Sequence, residues 1–591
     1  MAQPFSFWYT LFLLVGMTVA LIREWFDADV IMLTALVLMI TGGIIDVEEA
    51  VSGFANEGML TVGLLYVVAC AIQKTGALHS LGEKLMGRPG VLSCNLLRLL
   101  FPVSALSAFF NNTPVVAMGI PVIRQWTKKY HQPVSKFLIP LSYAAILGGT
   151  CTLIGTSTNL VVHGMMIQNH MPGMSFFEIT KIGLPVTFIG VLIVGLVGHR
   201  LLPERRETMV ELGDHTREFI VSTKVHDECP FVGKSIEEAG LRHLKGLFLF
   251  QVERMNRKIT PVGPREIIQS GDRLFFTGLP ETIIDLQKNP GLSVTRDMPF
   301  DLMQGDAIGV YEVVISAYSP LVGKNVRKSR FRSRYDAVIL AVHRSGERIR
   351  QKIGDVVLRA GDTLLVMAKN DFLDRWYHAR DFYLVSRSVE WVAKPRHYTY
   401  IALGVLAAMI GAAASGLLPL FAAVSLAAVV LLLGKVITPH EARQSVDWSV
   451  LIVIASAFGI SRGIVNAGVA DFFARHLILF LGSFGVMGLL AGVYFSTSLY
   501  TELITNNAAA ALIFPTALAV AQQADMDPRP LLLGVAVAAS ASFATPIGYQ
   551  TNLMVYGAGG YRFRDFLKIG IPMNLFVGIL VVLMLYFTFY F

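Results

Sequence analysis

The chain has 591 residues, of which 54% are hydrophobic and 16% charged. A soluble domain usually carries about 25% charged residues, and the shortfall here is uneven: residues 8–200 and 398–591 are long apolar stretches, whereas 201–396 read as ordinary soluble sequence. That pattern excludes a wholly soluble protein, and the formal charge of +8 needs no nucleic-acid partner, because basic residues at the cytoplasmic ends of spans produce the same excess.

Met1 to Thr10 lacks the basic region of a secretory signal, while Trp8 and Tyr9 suit an interfacial anchor, so the first apolar segment is expected to stay as a span. Cys70, Cys94, Cys151 and Cys229 stand far apart without metal-ligand spacing and imply neither a zinc site nor a disulfide framework. In chain order, a first membrane repeat (1–200) contains spans near 8–22, 29–45 and 59–75, an apolar pair at 91–110 and 113–126, and longer segments at 136–165 and 178–200. A second (397–591) follows the same plan, with 398–416, 419–437 and 448–465, the pair 477–504 and 508–522, then 529–557 and 569–590. About 20 apolar residues match the roughly 30 Å hydrocarbon core.

The duplication is legible in residues. Asn112 through Pro121 aligns with Asn506 through Pro515 at an offset of 394, and Gly155 through Leu160 with Gly548 through Leu553 at 393. Lys181-Ile182-Gly183-Leu184-Pro185 recurs as Lys568-Ile569-Gly570-Ile571-Pro572. If each apolar pair is a re-entrant hairpin, the first half crosses five times. Arg23, Lys74, Lys84, Arg88, Arg124, Lys128, Lys129, Arg200, Arg205 and Arg206 then fall on one side, which is cytoplasmic by the positive-inside rule, opposite the acidic 46–57 loop. An odd number of crossings makes the repeats inverted. Arg462 and Arg475 fall on the wrong side in the second half.

Between the halves, Phe231-Val232-Gly233-Lys234 recurs as Leu321-Val322-Gly323-Lys324, and Ser270-Gly271-Asp272 as Ala360-Gly361-Asp362, both at an offset of 90. Short alternating runs beside Gly-Asp turns predict two small α+β modules, 211–290 and 301–380, without a nucleotide-binding glycine fingerprint. The positive loops beside them put the pair in the cytoplasm. Their ligand is unknown, and packing explains Lys234 and Lys324 as well as binding does.

Breaking a helix in hydrocarbon leaves backbone groups unpaired unless protein or a cavity satisfies them. Asn111-Asn112-Thr113-Pro114 and Thr505-Asn506-Asn507 place amide and hydroxyl oxygens inside the apolar pairs. Gly155 to Asn159 and Gly548 to Asn552 do so inside segments long enough for two half-helices with an unwound link. Half-helix N-termini suit an anion, and carbonyl and hydroxyl oxygens suit sodium. Candidate substrate ligands are Asn111, Asn112, Thr113, Thr158, Asn159, Thr505, Asn506, Asn507, Thr551 and Asn552. Asn112, Gly155, Asn506 and Gly548 are the candidate sodium positions. Glu502, whose repeat partner is Ala108, reads equally as a functional carboxylate or an interfacial one. His163 and Tyr556 are matched and read as packing residues.

These motifs resemble the divalent anion:sodium symporter family, in its bacterial members with paired potassium-uptake-regulator C-terminal-like (RCK_C-like) domains. The resemblance covers nearly the whole chain and rests on Ser107 through Pro114, Thr501 through Asn507, and the two Gly-to-Asn clusters. It implies a polytopic helical membrane protein with inverted repeats, a re-entrant hairpin and a broken helix in each, and two inserted soluble domains. It also implies a homodimer with an elevator motion, in the cell inner (plasma) membrane. The family's Ser-Asn-Thr tips, which touch substrate oxygens and sodium, correspond to Asn111-Asn112-Thr113 and Thr505-Asn506-Asn507. Asn111 stands where the family has serine, and Asn507 where it has threonine. These departures, and the large insert, turn the expectation towards sodium-coupled uptake of a divalent inorganic anion such as sulfate. The alternatives are a di- or tricarboxylate symporter and a sodium/proton antiporter, the latter needing Glu502. Nucleophile motifs, metal clusters and phosphate loops are missing from both halves, so no enzymatic role and no cofactor are expected.

Overall fold

The computed structural model describes residues 4–75 apart from 24, then 87, 90–204, most of 220–386, and 396–591. Four of the basic residues used to orient the chain, Lys84, Arg88, Arg205 and Arg206, lie outside the described residues. Seven of the described helices are long and apolar enough to cross a membrane, and several shorter apolar helices accompany them.

The two helical halves carry matching elements. α1 (Phe5–Ile22), α2 (Ala28–Thr41), the short α3 (Val47–Val51) and α4 (Glu57–Lys74) open the first half. α5 (Leu92–Ser107), α6 (Asn112–Lys129), α7 (Leu138–Gly149), α8 (Ser157–Gln168) and α9 (Thr180–Ile193) complete it. The second half runs α10 (Arg396–Ala414), α11 (Leu420–Leu433), α12 (Pro439–Ser445), α13 (Trp448–Asn466) and α14 (Val469–Leu481). It ends with α15 (Gly485–Leu503), α16 (Asn506–Gln523), α17 (Pro528–Ser540), α18 (Gln550–Ala558) and α19 (Phe563–Tyr590). Small helices α3 and α12 are both started by capping boxes, Asp46 with Glu49 and Thr438 with Glu441. α4 and α13 are capped by Asn56 and Asp447. Local capping chemistry therefore repeats where the sequence comparison saw only hydropathy.

Three expectations change in detail. The apolar stretch expected as one arm over 477–504 is split: α14 ends at Leu481, a short 3₁₀ turn follows, and α15 begins at Gly485. The interruption expected at Asn111 to Pro114 falls just ahead of that motif, at residues 108–111, and Pro114 lies in the first turn of α6, where a missing N–H costs nothing. Arg462 is explained by a local partner, because its guanidinium donates to Gln168 O (2.8 Å) at the end of α8.

Residues 220–386 form two five-stranded antiparallel sheets. The first contains β1 (Ile220–Val225), β2 (Leu247–Arg254), β3 (Arg257–Ile259), β4 (Arg273–Gly278) and β5 (Leu292–Thr295), in the order β3-β2-β4-β1-β5. The second contains β6 (Ile308–Ile315), β7 (Ala337–Arg344), β8 (Glu347–Arg348), β9 (Thr363–Lys369) and β10 (Phe382–Ser386), in the order β10-β6-β9-β7-β8. Read from the other end, the second order is the first with every strand advanced by five. The repeated Gly-Lys pairs are backbone turns: Gly233 N donates to Ile268 O and Gly323 N to Leu358 O, with φ at 83° and 77°. In the repeated Gly-Asp turns, Asp272 holds Arg254 and Asp362 holds Arg344, each by two oxygens. Both motifs are accounted for by the fold of the sheets.

The second sheet is fastened to the helices. Glu312 on β6 accepts two bonds from Arg124 of α6 (2.7 and 2.8 Å), and both side chains are buried. Arg124 also donates to Ala558 O at the end of α18 (2.9 Å), and Thr363 Oγ1 donates to Gly557 O (3.3 Å). Tyr556 packs at this junction, where a Cβ on Gly361 would stand 3.2 Å from its ring. Removing one partner of a buried ion pair strands the other, at about 3–5 kcal/mol, whereas an apolar pair of similar volume can be neutral. Glu312→Ala is therefore expected to lower the melting temperature of the purified full-length protein. Arg124→Met combined with Glu312→Leu should recover most of the loss, as read by thermal denaturation in detergent.

Candidate functional site

Four helices begin close together inside the helical body: α6 at Asn112, α8 at Ser157, α16 at Asn506 and α18 at Gln550. Two of these starts follow the hairpin turns, and two follow the unwound links 150–156 and 541–549. They meet in two crossed pairs. Thr113 Oγ1 donates to Gln550 Oε1 (3.2 Å), joining the first hairpin to the second broken helix. Ser157 Oγ donates to Asn507 Oδ1 (2.9 Å), joining the first broken helix to the second hairpin. Thr113 and Asn507 are repeat partners, and so are Ser157 and Gln550. The site is thus assembled from both halves at once.

Each hairpin tip is locked in the same way. Ser107 Oγ donates to Asn112 Oδ1 (2.7 Å), and Thr501 Oγ1 donates to Asn506 Oδ1 (2.9 Å). The tips are then tied to the links: Thr152 Oγ1 donates to Ala108 O, and at the matched positions Thr545 Oγ1 donates to Glu502 O (3.2 Å). Asn159 Nδ2 closes the first link by donating to Gly149 O (3.4 Å) and Thr152 O (2.9 Å). Asn552 Nδ2 does the same with Ser542 O (2.9 Å) and Thr545 O (3.1 Å). These carbonyls lie where no helix supplies N–H donors, so an asparagine in the following half-helix is what satisfies them. Thr158 bonds to Ser540 and Thr551 to Ser142 (2.9 Å), each reaching the first half-helix of the opposite repeat.

The candidate residues divide accordingly. Asn112, Thr113, Asn506 and Asn507 come together with Ser157 and Gln550 at the meeting point, and Asn111 lines a cavity beside it with Tyr66, Phe110 and Ser157. Thr158, Asn159, Thr551 and Asn552 are fully buried one step behind, where they hold the links. Gly155 and Gly548 face oxygens. A Cβ on Gly155 would stand 2.5 Å from Gly149 O and 3.0 Å from Ala108 O. On Gly548 it would stand 2.4 Å from Ser542 Oγ and 2.9 Å from both Thr501 O and Thr545 Oγ1. Three buried side-chain oxygens in these clusters have no hydrogen-bond partner: Asn159 Oδ1, Thr505 Oγ1 and Ser542 Oγ. Among the described residues, no group of three His, Cys, Asp or Glu could hold a metal ion.

Glu502 is occupied by structure. Its carboxylate accepts from Ala544 N, Thr545 N and Asn574 Nδ2, all at 2.8 Å, and so pins the second link to α15 and α19. His163 Nδ1 accepts from Met174 N (2.9 Å), a packing bond. Sequence reasoning gave no site role to Ser107 and Thr501 or to Thr152 and Thr545, nor to Ser157, Gln550, Ser542 and Tyr549, although Ser107, Thr501, Ser157, Tyr549 and Gln550 stand inside its motifs. The first two pairs are polar matches at the same offsets as the motifs, so the internal repeat already contained them. Ser542 aligns with Gly149 and Tyr549 with Thr156, and both are departures from symmetry.

The family model described as "Citrate transporter" (CitMHS) matches residues 18–527 and 503–591. The chain belongs to this family. It is 37% identical over 576 residues to a Chlamydomonas reinhardtii protein named "Putative sulfur deprivation response regulator", covering 95% of this chain and 98% of the relative. Identity is 30% to an uncharacterized transporter of Synechocystis, over 96% and 94% of the two chains. It is 26% to Sodium/sulfate cotransporter 1 of Chlamydomonas reinhardtii, over 95% and 87%. This chain is therefore a multi-pass membrane transporter and not an enzyme.

The crowding at Gly155 is testable apart from transport. The nearest atom to an added Cβ is a backbone carbonyl, which cannot swing away, so Gly155→Ala should destabilise by about 1–3 kcal/mol. Gly404 in α10 has nothing within 4 Å of the corresponding position. Gly404→Ala should leave the melting temperature unchanged or slightly raised. Equal melting temperatures for the two variants would contradict the packing described.

Proposed function

We propose that this protein is a secondary active transporter that takes up a small divalent anion, sulfate or a close analogue, together with sodium. The observation that carries this reading is the convergence of four half-helix N-termini from both repeats. Three of them, those of α8, α16 and α18, have no side-chain cap on their first N–H groups. Free N–H groups and the positive ends of helix dipoles suit an anion. A dianion gains more than a monoanion from several such positive ends.

Sodium is assigned to the oxygen clusters around Gly155 and Gly548, with Asn112 and Asn506 as side-chain ligands. Unpartnered oxygens at Asn159, Thr505 and Ser542 support this assignment. Neutral oxygens bind sodium best when the anion balances the charge, which is the physical basis of coupling. A sodium/proton antiporter is less well supported, because the hairpin carboxylate it would need, Glu502, is committed to three N–H donors. The sodium/sulfate cotransporter among the relatives supports the choice of sulfate over carboxylates.

We further read the chain as crossing the plasma membrane ten times, with two re-entrant hairpins, α5–α6 and α15–α16, in inverted repeats. The two sheets are read as RCK_C-like cytoplasmic domains that bind a small ligand, and the assembly as a homodimer.

Asn112→Ala and Asn506→Ala each remove an oxygen and an amide from a tip. Each is expected to weaken sulfate binding about ten- to a hundredfold, as loss of one partner in a buried polar cluster costs about 1–3 kcal/mol. Because binding is coupled, sodium and sulfate must strengthen each other by the same factor. Sulfate binding to purified protein across a sodium titration measures both. A wild-type affinity indifferent to sodium would reject the coupling.

A further inference from the structure

The two repeats align position for position at the meeting point, and the largest change in side-chain size between them falls at one position. Where the first repeat has Thr156, the second has Tyr549, and each immediately precedes a half-helix. The tyrosine side chain is buried, 8% exposed, and crosses from its own repeat into the other. Its phenol oxygen accepts from Asn112 Nδ2 (2.6 Å), stands 3.4 Å from Thr156 Oγ1, and also interacts with Asn506. One phenol oxygen therefore reaches both hairpin tips and the opposite link, at a position where the first repeat has only a threonine.

We infer that Tyr549 determines which anion this transporter accepts, admitting a compact tetrahedral dianion and excluding a four-carbon dicarboxylate. The inference rests on the transport reading above. Two properties of the side chain act separately. The ring takes up length between the tips, and length is what distinguishes succinate from sulfate, both of which carry two charges. The hydroxyl supplies a donor. Its oxygen already accepts from the Asn112 amide, and across the 3.4 Å to Thr156 either hydroxyl can be the donor, which leaves the phenol proton free to turn to a better acceptor. An anion oxygen at the meeting point would be a charged acceptor, and charge-assisted bonds are roughly twice as strong as neutral ones. The tyrosine also accepts the Asn112 amide, so it holds that tip in place while it contacts the substrate.

Two substitutions separate the ring from the hydroxyl in the full-length protein. Tyr549→Phe keeps the ring and removes the hydroxyl. It should weaken sodium-dependent sulfate binding about tenfold or more, while succinate remains excluded. Tyr549→Thr copies the first repeat and removes the ring. It should allow succinate to bind in a sodium-dependent manner and to compete with sulfate at concentrations at least about tenfold lower than in the wild type. The readouts are binding of radiolabelled sulfate and succinate to purified protein, with and without sodium. The ratio of the two affinities is a quantity that a purely structural role would not move, and the phenylalanine variant preserves the packing. Sodium-dependent sulfate binding with a selectivity ratio unchanged in both variants would overturn the role of Tyr549 alone. Wild-type protein with no sodium-dependent sulfate binding would overturn the transport reading on which it rests.

Discussion

A helix interrupted inside an apolar body must find partners for the backbone groups it releases, and most of this structure follows from that requirement. Four interruptions surround the meeting point, at 108–111, 150–156, 504–505 and 541–549. At the two links an asparagine of the following half-helix takes the stranded carbonyls, at the two turns a threonine of the link does, and Gly155 and Gly548 let the oxygens of turn and link crowd together. What remains unsatisfied is small and local: uncapped helix starts and three orphan side-chain oxygens. Breaking the helices thereby leaves free N–H groups and free oxygens side by side, which is the feature on which the proposed ion site rests.

The site also has a mechanical neighbour. Arg124, near the far end of the hairpin helix that starts at Asn112, joins Glu312 of the second sheet to Ala558 at the end of the half-helix that starts at Gln550. Two of the four helices that meet at the site are thus tied together and to the sheet at their opposite ends. The first sheet differs at the matching turn: a Cβ on Gly271 would meet open space, whereas one on Gly361 would meet Tyr556. Duplicated modules have diverged in what they touch, not in how they fold.

Departures from symmetry carry more information than the symmetry. Matched residues such as Ser107 with Thr501, or Thr152 with Thr545, do the same job in both halves and build the frame. The unmatched ones have separate tasks. Glu502, opposite Ala108, pins one link with three acceptor bonds, Ser542 adds a hydroxyl opposite Gly149, and Tyr549, opposite Thr156, reaches across to the first hairpin tip. These differences fall at or beside the meeting point.

Hydropathy and repeated motifs pointed to the helical halves, to the interrupted helices within them and to the paired strand-rich segments, because apolar length, turn glycines and in-chain repetition are local properties. They also singled out Asn112 and Asn506, since polar residues within apolar runs stand out without any structure. The crossed pairing of Thr113 with Gln550 and of Ser157 with Asn507 was not legible, because those contacts join positions 437 and 350 residues apart. Nor could sequence tell that Thr158, Asn159, Thr551 and Asn552 hold the links while Tyr549 faces the centre. All five sit in the same two motifs, and only the direction in which each half-helix turns its side chains, fixed by packing against the opposite repeat, separates the frame from the face that an ion would meet.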